Sequence, residues 1–297
     1  MFIKERETPI QLVVLRTLKP RFKLSHEYLS MLVRLENGLI GEDKLDVCIK
    51  LSGWKAYVVP DLRWAHFQID TVVIANGIIH LLEVKHYQGE CYFQDDRFFY
   101  PNHFEIKNPL HQAADHAIAL KQILRDKPFQ IKHWVIFTNP DFTLKQAKRT
   151  DPIIMPNQIE RHFEQLRQSS SPLTNADYEL AMQLLQLDNP SAQLKYLDIP
   201  SYDFSQIQKG LKCKTCHTIS VQVSGRTCFC QKCGCRESIY PVVKEAIQDF
   251  AVLFPENLLT VSSLYDFCGK QVSTRVIRTT LMKEYELVHK SSASYYR

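Results

Sequence analysis

The chain has 297 residues, 45% of them hydrophobic and 23% charged, with nine glycines. That is enough apolar material for a sizeable core; it excludes a disordered or fibrous chain, and the length suits roughly two domains. The net charge is only +5, but residues 205–297 hold 13 Lys/Arg against 7 Asp/Glu, and a basic end domain points toward nucleic acid.

The first residues, Met1 to Pro9, carry early charges that break a signal-peptide pattern. No apolar run reaches the ~18 residues of a spanning helix, so the expectation is a soluble, cytoplasmic protein without membrane contact. Residues 1–28 read as a basic, irregular arm. A helical pattern starts near Tyr28 and runs to about Ser52, with Asn37-Gly38 as a possible break. Residues 54–59 read as a strand closed by Pro60-Asp61. Two apolar runs, 66–75 and 78–85, flank Asn76-Gly77, a strong two-residue hairpin signal. Residues 91–106 are aromatic and extended. Asn108-Pro109 opens a helix to about Asp126, with Asn as cap and Pro in the first turn. His133 to Thr138 is a further strand, and 157–168 and 174–187 are helical. The Pro-, Ser- and Asp-rich stretch 188–204 reads as a linker.

The hairpin carries the chemistry. With a two-residue loop, Asp70 falls opposite Glu83 and Gln68 opposite Lys85, and alternation puts Asp70, Glu83 and Lys85 on one face. The rest of that face is Val72, Ile74, Ile79 and Leu81. Facing like charges destabilise a sheet, so a compensating cation is expected; a hard divalent ion suits carboxylate oxygens, and Lys85 offsets part of the charge. Glu42 precedes Leu45 and Ile49 on one helix face and so ends an apolar stripe. Gln112 lies in the first turn of the Asn-Pro helix, where an amide can orient a water or a phosphate.

These motifs, in this order, resemble the nuclease-related domain (NERD) family. They are Gly38-x-x-Gly41-Glu42, Gln68-Ile69-Asp70, Glu83-Val84-Lys85 followed by Gly89, and Asn108-Pro109-x-x-Gln112. The resemblance covers about residues 34–140. It implies a PD-(D/E)xK, restriction-endonuclease-like α/β fold: a mixed sheet flanked by helices, with the metal at the sheet's edge. It also implies that Asp70, Glu83 and the carbonyl of Val84 ligate Mg²⁺ (or Mn²⁺). Lys85 would hold the attacking water or the phosphate, and Glu42 would ligate the metal or act through water. Where the family often has Trp, this chain has Phe98-Phe99.

Six of the nine cysteines lie between Cys213 and Cys235. Cys213-x-x-Cys216 and Cys230-x-x-Cys233 have the spacing of a zinc ribbon, a tetrahedral structural Zn²⁺ site with four thiolates and no open position. Cys228 or Cys235 could replace a member of the second pair. Gly234 suits the turn after that pair; His217, in the matching place after the first, does not repeat it.

Beyond the ribbon, 242–254 reads as an amphipathic helix. Thr260 or Ser262 caps a second helix ending at Gly269, and a third runs from Val272 or Ser273 to about Tyr285. With a hairpin wing in 287–296, this resembles a winged helix-turn-helix. Val276, Ile277 and Leu281 would pack inward, while Arg275 and Arg278 would project together toward phosphate or base edges.

Three regions are therefore expected: a nuclease-related domain with arm and linker (1–200), a four-cysteine ribbon (205–240) and a helical, winged-helix-like domain (241–297). The function expected is metal-dependent phosphodiester hydrolysis on nucleic acid, DNA foremost. The alternative is a non-catalytic DNA-binding or scaffolding protein on a nuclease fold.

Overall fold

A computed structural model describes residues 1–65, 67–100, 102–124, 129–191, 197–290 and 293–297. Residues 66, 101, 125–126, 192–196 and 291–292, which fall in the expected first hairpin strand, extended aromatic stretch, helix end, linker and wing, lie outside the described residues. The chain forms two compact units, one of Met1–Thr8 and Val33–Leu197, the other of Pro9–Leu32 and Asp198–Arg297.

The helices are α1 (Ile10–Leu18), α2 (His26–Ser52), α3 (Pro109–Ile123), α4 (Ile159–Gln168), α5 (Asn175–Leu187), α6 (Ile239–Leu253), α7 (Val261–Phe267) and α8 (Thr274–Glu284). Among the described residues the first unit holds nine strands: β1 (Tyr57–Trp64), β2 (Phe67–Ala75), β3 (Ile78–Lys85), β4 (Gly89–Gln94), β5 (Arg97–Phe99), β6 (Glu105–Ile106), β7 (Gln130–Phe137), β8 (Phe142–Lys145) and β9 (Ile153–Ile154). Its main sheet has the order β1-β2-β3-β7-β9, antiparallel through β3 and parallel beyond it. A second sheet, β6-β5-β4-β8, carries the aromatic stretch.

The main sheet is covered on both faces, as a mixed α/β layer must be to bury its apolar side chains. On one face Leu45 and Ile49 of α2 and Phe163 of α4 pack with Val58, Val73, Leu82 and Ile136. On the other, Leu120 of α3 and Leu180, Ala181 and Leu184 of α5 pack with Val59, Val72, Ile74 and Leu81. Phe98, in the position where the resemblance leads one to expect Trp nearby, is fully buried beside Phe93, Phe137 and Cys91. This is the mixed sheet flanked by helices expected from the sequence.

Several expectations need correction. The segment 1–28 is not an irregular arm throughout. Ile10 to Leu18 is helical, and Leu12, Leu15 and Leu18 are fully buried. Met1–Thr8 lies with the first unit and α1 with the second. Helix α2 runs unbroken through Asn37-Gly38. Strand β1 does not close at Pro60-Asp61 but continues to Trp64, with Pro60 opposite Thr71; β1 is an edge strand, where a missing N–H is tolerated. The last part of the expected linker is packed, since Tyr202 Oη donates to Leu253 O at 2.9 Å.

The second unit contains a three-stranded sheet of β10 (Val221–Ser224), β11 (Thr227–Cys230) and β12 (Arg236–Ser238), then α6, α7 and α8, and the hairpin β13 (Leu287–Lys290) and β14 (Ala293–Tyr296). Buried Arg21 ties its N-terminal part in, donating to Asp249 of α6 at 3.1 Å and lying 4.3 Å from the Phe267 ring centre. Thr260 caps α7 and Ser273 caps α8. No helix among the described residues is long and apolar enough to cross a membrane.

Candidate functional site

A cleft of about 900 Å³ opens in the first unit, lined among others by Arg34, Gly38, Glu42, Asp70, Glu83, Val84, Lys85, Tyr100, Phe104 and Gln112. All six residues expected in a metal-and-phosphate site are therefore brought to one cavity. Three elements deliver them. Helix α2 brings Glu42, the β2–β3 hairpin brings Asp70 and Glu83-Val84-Lys85, and the first turn of α3 brings Gln112.

Local sequence explains the delivery. Asn76 and Gly77 both take positive φ, 56° and 70°, as a tight hairpin turn requires, and they set the register Ala75–Ile78 through Thr71–Leu82. The expected pairs Asp70–Glu83 and Gln68–Lys85 lie beyond the last of these. There the ladder gives way to a side chain: Asp70 Oδ2 accepts the Val84 N–H at 2.7 Å. Asn108 caps α3 by accepting from Leu110 N at 2.9 Å. Gly41 lets α2 approach the strand ends, since a Cβ there would stand 2.7 Å from His86 Cβ and 2.9 Å from Thr138 Oγ1. Gly38, by contrast, meets open space beside the cleft.

The charges are tightly paired. Lys85 Nζ donates to Glu83 Oε1 at 2.6 Å and to Gln112 Oε1 at 3.2 Å. His116 Nδ1, one helical turn beyond Gln112, stands 3.3 Å from Glu83 Oε2, within ion-pair range. It is not aligned for a hydrogen bond, so this buried oxygen has no hydrogen-bond partner. Burial pushes the Glu83 carboxyl up, but Lys85 and His116 hold it below the ordinary carboxylate range. Burial opposes the charge on Lys85, and Glu83 more than restores it, raising its pKa. Asp70 is pushed up to about 7 by burial and the nearby Glu83 charge. Glu42 is pushed up to about 9, chiefly by burial and then by Asp70.

Two residues escaped the sequence reading. Arg6, whose side chain is only 4% exposed, donates to Glu42 Oε2 at 2.8 Å, to both carboxylate oxygens of Asp46, to the Asp70 carbonyl at 3.0 Å and to Thr71 Oγ1 at 2.8 Å. Nothing in the local sequence marks it. His116 could have been found, because it follows Gln112 by four residues on the same helix face.

The donor set fits a hard divalent cation. Asp70 and Glu83 supply carboxylate oxygens, and Glu83 Oε2 is buried without a hydrogen-bond partner, a costly state that a cation would relieve. The fit has a limit: among the described residues Glu42, Asp70 and Glu83 do not bring three ligand atoms within 4.8 Å of one another, whereas the cysteines do. Arg6 holds Glu42 and Lys85 holds Glu83.

In the second unit the sulfurs of Cys213, Cys216, Cys230 and Cys233 all lie within 4.8 Å of one another, with 3.6 Å between Cys213 and Cys233 and between Cys216 and Cys230. This is a four-cysteine cluster consistent with a zinc ribbon. Cys228 and Cys235 stand outside it; Cys235 Sγ instead accepts from Thr215 Oγ1 at 3.1 Å. The two loops are near copies. His217 N donates to Cys213 O at 2.8 Å and Gly234 N to Cys230 O at 2.9 Å, and both residues take positive φ, 54° and 73°. His217 thus does the conformational work of a glycine. The Thr218 hydroxyl helps to bring Cys216 down to about 6, favouring thiolate.

On α8, Ile277 and Leu281 are buried, as expected, and Val276 is half-buried. Arg275 and Arg278 are exposed, and no ion pair involves them among the described residues.

The fold and the cleft define an α/β protein with a carboxylate–lysine site at the end of a mixed sheet, joined in one chain to a four-cysteine cluster. Residues 37–138, which lie in the first unit, match the family model described as nuclease-related domain. No curated protein and no solved structure matches the chain.

Proposed function

We propose that this protein is a divalent-metal-dependent nuclease whose substrate is DNA. The observation that carries the reading is the buried Glu83 carboxylate, whose Oε2 lacks a hydrogen bond, beside Asp70 and Lys85 in the cleft of the segment that matches the nuclease-related domain. Asp70, Glu83 and the Val84 carbonyl would hold Mg²⁺ or Mn²⁺. When bound, that ion supplies an activated water and neutralises charge on the phosphoryl oxygens.

The chain's own residues do the rest. Lys85 stays positive and sets a fixed charge in the cleft where phosphate oxygens gain negative charge. Gln112 Oε1 and Glu83 Oε1 aim its ammonium group. Glu42, whose carboxylate accepts from Arg6 at 2.8 Å, would act on the site through a water. The four cysteines would bind Zn²⁺ in a purely structural site, which suits a reducing compartment such as the cytoplasm. The three C-terminal helices and hairpin read as a winged helix-turn-helix, with Arg275 and Arg278 contacting the DNA backbone or base edges.

A second reading, a DNA-binding or scaffolding protein without turnover, is favoured by one observation: Glu42 is already ion-paired to Arg6 and Glu83 to Lys85. The deciding experiment is cleavage of labelled DNAs and RNAs with Mg²⁺ or Mn²⁺, comparing wild type with folded Asp70→Ala and Lys85→Ala. Cleavage by wild type that both substitutions abolish supports the nuclease. Binding without cleavage, unchanged in both variants, supports the second reading.

A further inference from the structure

Phe104 lines the cleft of the first unit, yet its side chain is 63% exposed and no other ring contacts it among the described residues. Backbone bonds hold it there. Tyr100 N donates to Phe104 O at 2.9 Å and His103 N to Tyr100 O at 3.0 Å, with His103 at a φ of 60°. Tyr100, at the other end of this turn, lines the same cleft, half-buried and edge-on to Tyr87 at 5.3 Å between ring centres. Tyr87 in turn packs against Phe98, Phe137 and Phe142, so Tyr100 stands on an aromatic base while Phe104 is left open to solvent. A single exposed apolar side chain is ordinary on a surface. This one opens onto the cavity that holds Asp70, Glu83 and Lys85.

Helix α2 adds a cation. Arg34, Gly38 and Glu42 follow at i, i+4 and i+8 along one side of the helix, and all three line the cleft. Arg34 is exposed and makes no ion pair or hydrogen bond among the described residues. The positive fields of Arg34 and Lys85 both reach the Tyr100 hydroxyl, which also makes no hydrogen bond among the described residues. Arg34 leaves the helix about 12 Å from Glu42. That separation suits a phosphate next to the reacting one, not the reacting phosphate itself.

Charge and depth decide the form of the substrate. Among the described residues lining the cleft, only Arg34 and Lys85 are full cations, and Glu83 already holds Lys85; Glu42, Asp70, Glu83 and Asp141 oppose them. Duplex binding draws on many phosphate contacts, which one free cation does not supply. Unpaired strands are held instead by aromatic rings, on which any base stacks, with cations along the backbone. Glu83 is only 2% exposed, so a reacting phosphate has to descend between the walls. A cleft of about 900 Å³ has room there for a few nucleotides, not for a paired strand as well. Resting on the reading of this cleft as a DNA site, we propose that it takes an unpaired DNA strand, with Phe104 and Tyr100 as the platform for a base and Arg34 on a neighbouring phosphate.

The test uses the full chain and one labelled DNA strand of about 12 nucleotides, alone or annealed to its complement. Fluorescence anisotropy in Ca²⁺ reads binding, and product formation in Mn²⁺ reads cleavage. Phe104→Leu keeps an apolar side chain but offers no ring face. It is expected to weaken binding of the unpaired strand about tenfold and to change duplex binding far less. Phe104→Trp should bind the unpaired strand as wild type does. Arg34→Gln should make the fall of log K with log salt shallower by about 0.7 for the unpaired strand. Both residues are exposed, so these variants should keep the wild-type circular dichroism. Wild type should cut the strand at least about tenfold faster unpaired than annealed. Cleavage at equal rates on the two forms, or binding of the unpaired strand that Phe104→Leu leaves intact, overturns the inference while the nuclease reading stands. Phe104-dependent binding of the unpaired strand without any cleavage keeps the inference and sinks the nuclease reading. Binding of neither form overturns both.

Discussion

Arg6 donates to Glu42 at 2.8 Å from a position 36 residues earlier in the chain and outside the matched segment 37–138. The same guanidinium also grips Asp46 and the Asp70 carbonyl. Two of the cleft's carboxylate-bearing residues are thus fixed by one buried cation. Removing it leaves acids buried without their partner, and breaking a buried ion pair from one side costs about 3–5 kcal/mol. Arg6→Gln should therefore lower the urea unfolding midpoint sharply. Glu42→Gln leaves Arg6 paired to Asp46 and Thr71, and should cost well under half as much while still impairing turnover. Equal losses in the two variants would contradict this account.

Divalent-cation binding in the cleft can be checked without any substrate. A ligand that binds only the folded state raises apparent stability by RT ln(1 + [L]/Kd), or about 2.7 kcal/mol at a hundredfold excess over Kd. Mn²⁺ should raise the Tm of wild type in the zinc-loaded protein, and Asp70→Ala should lose most of that rise. The expectation follows from Glu83 Oε2, buried without a hydrogen bond, whose desolvation a cation offsets. A Tm that ignores Mn²⁺ in wild type would argue against a divalent site here.

Much of this was legible in the sequence, for local reasons. The Asn76-Gly77 turn fixed the strand register because both residues accept positive φ. Asn108 announced a helix start through its side-chain cap. The two Cys-x-x-Cys pairs specified their cluster because each pair bends back on itself. What escaped was non-local. Arg6 reaches its partners across 36 to 65 residues, with no pattern to signal it. Strand β1 runs through Pro60 because it is an edge, and edge status depends on the whole sheet order. The pair Asp70–Glu83 left the ladder because a side-chain carboxylate bonded the Val84 N–H, an option that alternation alone does not reveal.

The cysteine loops make an unequal pair. His217 holds φ at +54°, where an L side chain costs roughly 1–2 kcal/mol and glycine costs little. His217→Gly should therefore raise the stability of the second unit by about 1 kcal/mol or slow the loss of metal to a chelator, measured by release to a zinc-sensitive dye. Cys233→Ser should do the reverse, releasing metal faster and exposing the small β10–β12 sheet to proteolysis, because a site this small depends on its ion for folding. If His217→Gly releases metal faster than wild type, the histidine has a role beyond its backbone conformation.

His80 and His162 set an acid limit on the first unit. Burial brings both down to about 4, from the ordinary 6.5 or so. His80 is 2% exposed and edge-on to Trp54, and its Nδ1 has no hydrogen-bond partner. The folded state therefore keeps these rings neutral while the unfolded chain takes up protons below about pH 6.5. Their contribution is fully present above that pH and is lost progressively as pH falls toward 4. For His80 the loss amounts to about 3 kcal/mol at most, at 1.36 kcal/mol per pKa unit. Urea stability measured at pH 7.5, 6 and 5 should fall across this window. His80→Leu, similar in volume and unable to titrate, should flatten the slope without moving the value at pH 7.5 by more than about 1.5 kcal/mol. An unchanged slope in that variant would assign the acid sensitivity to other groups.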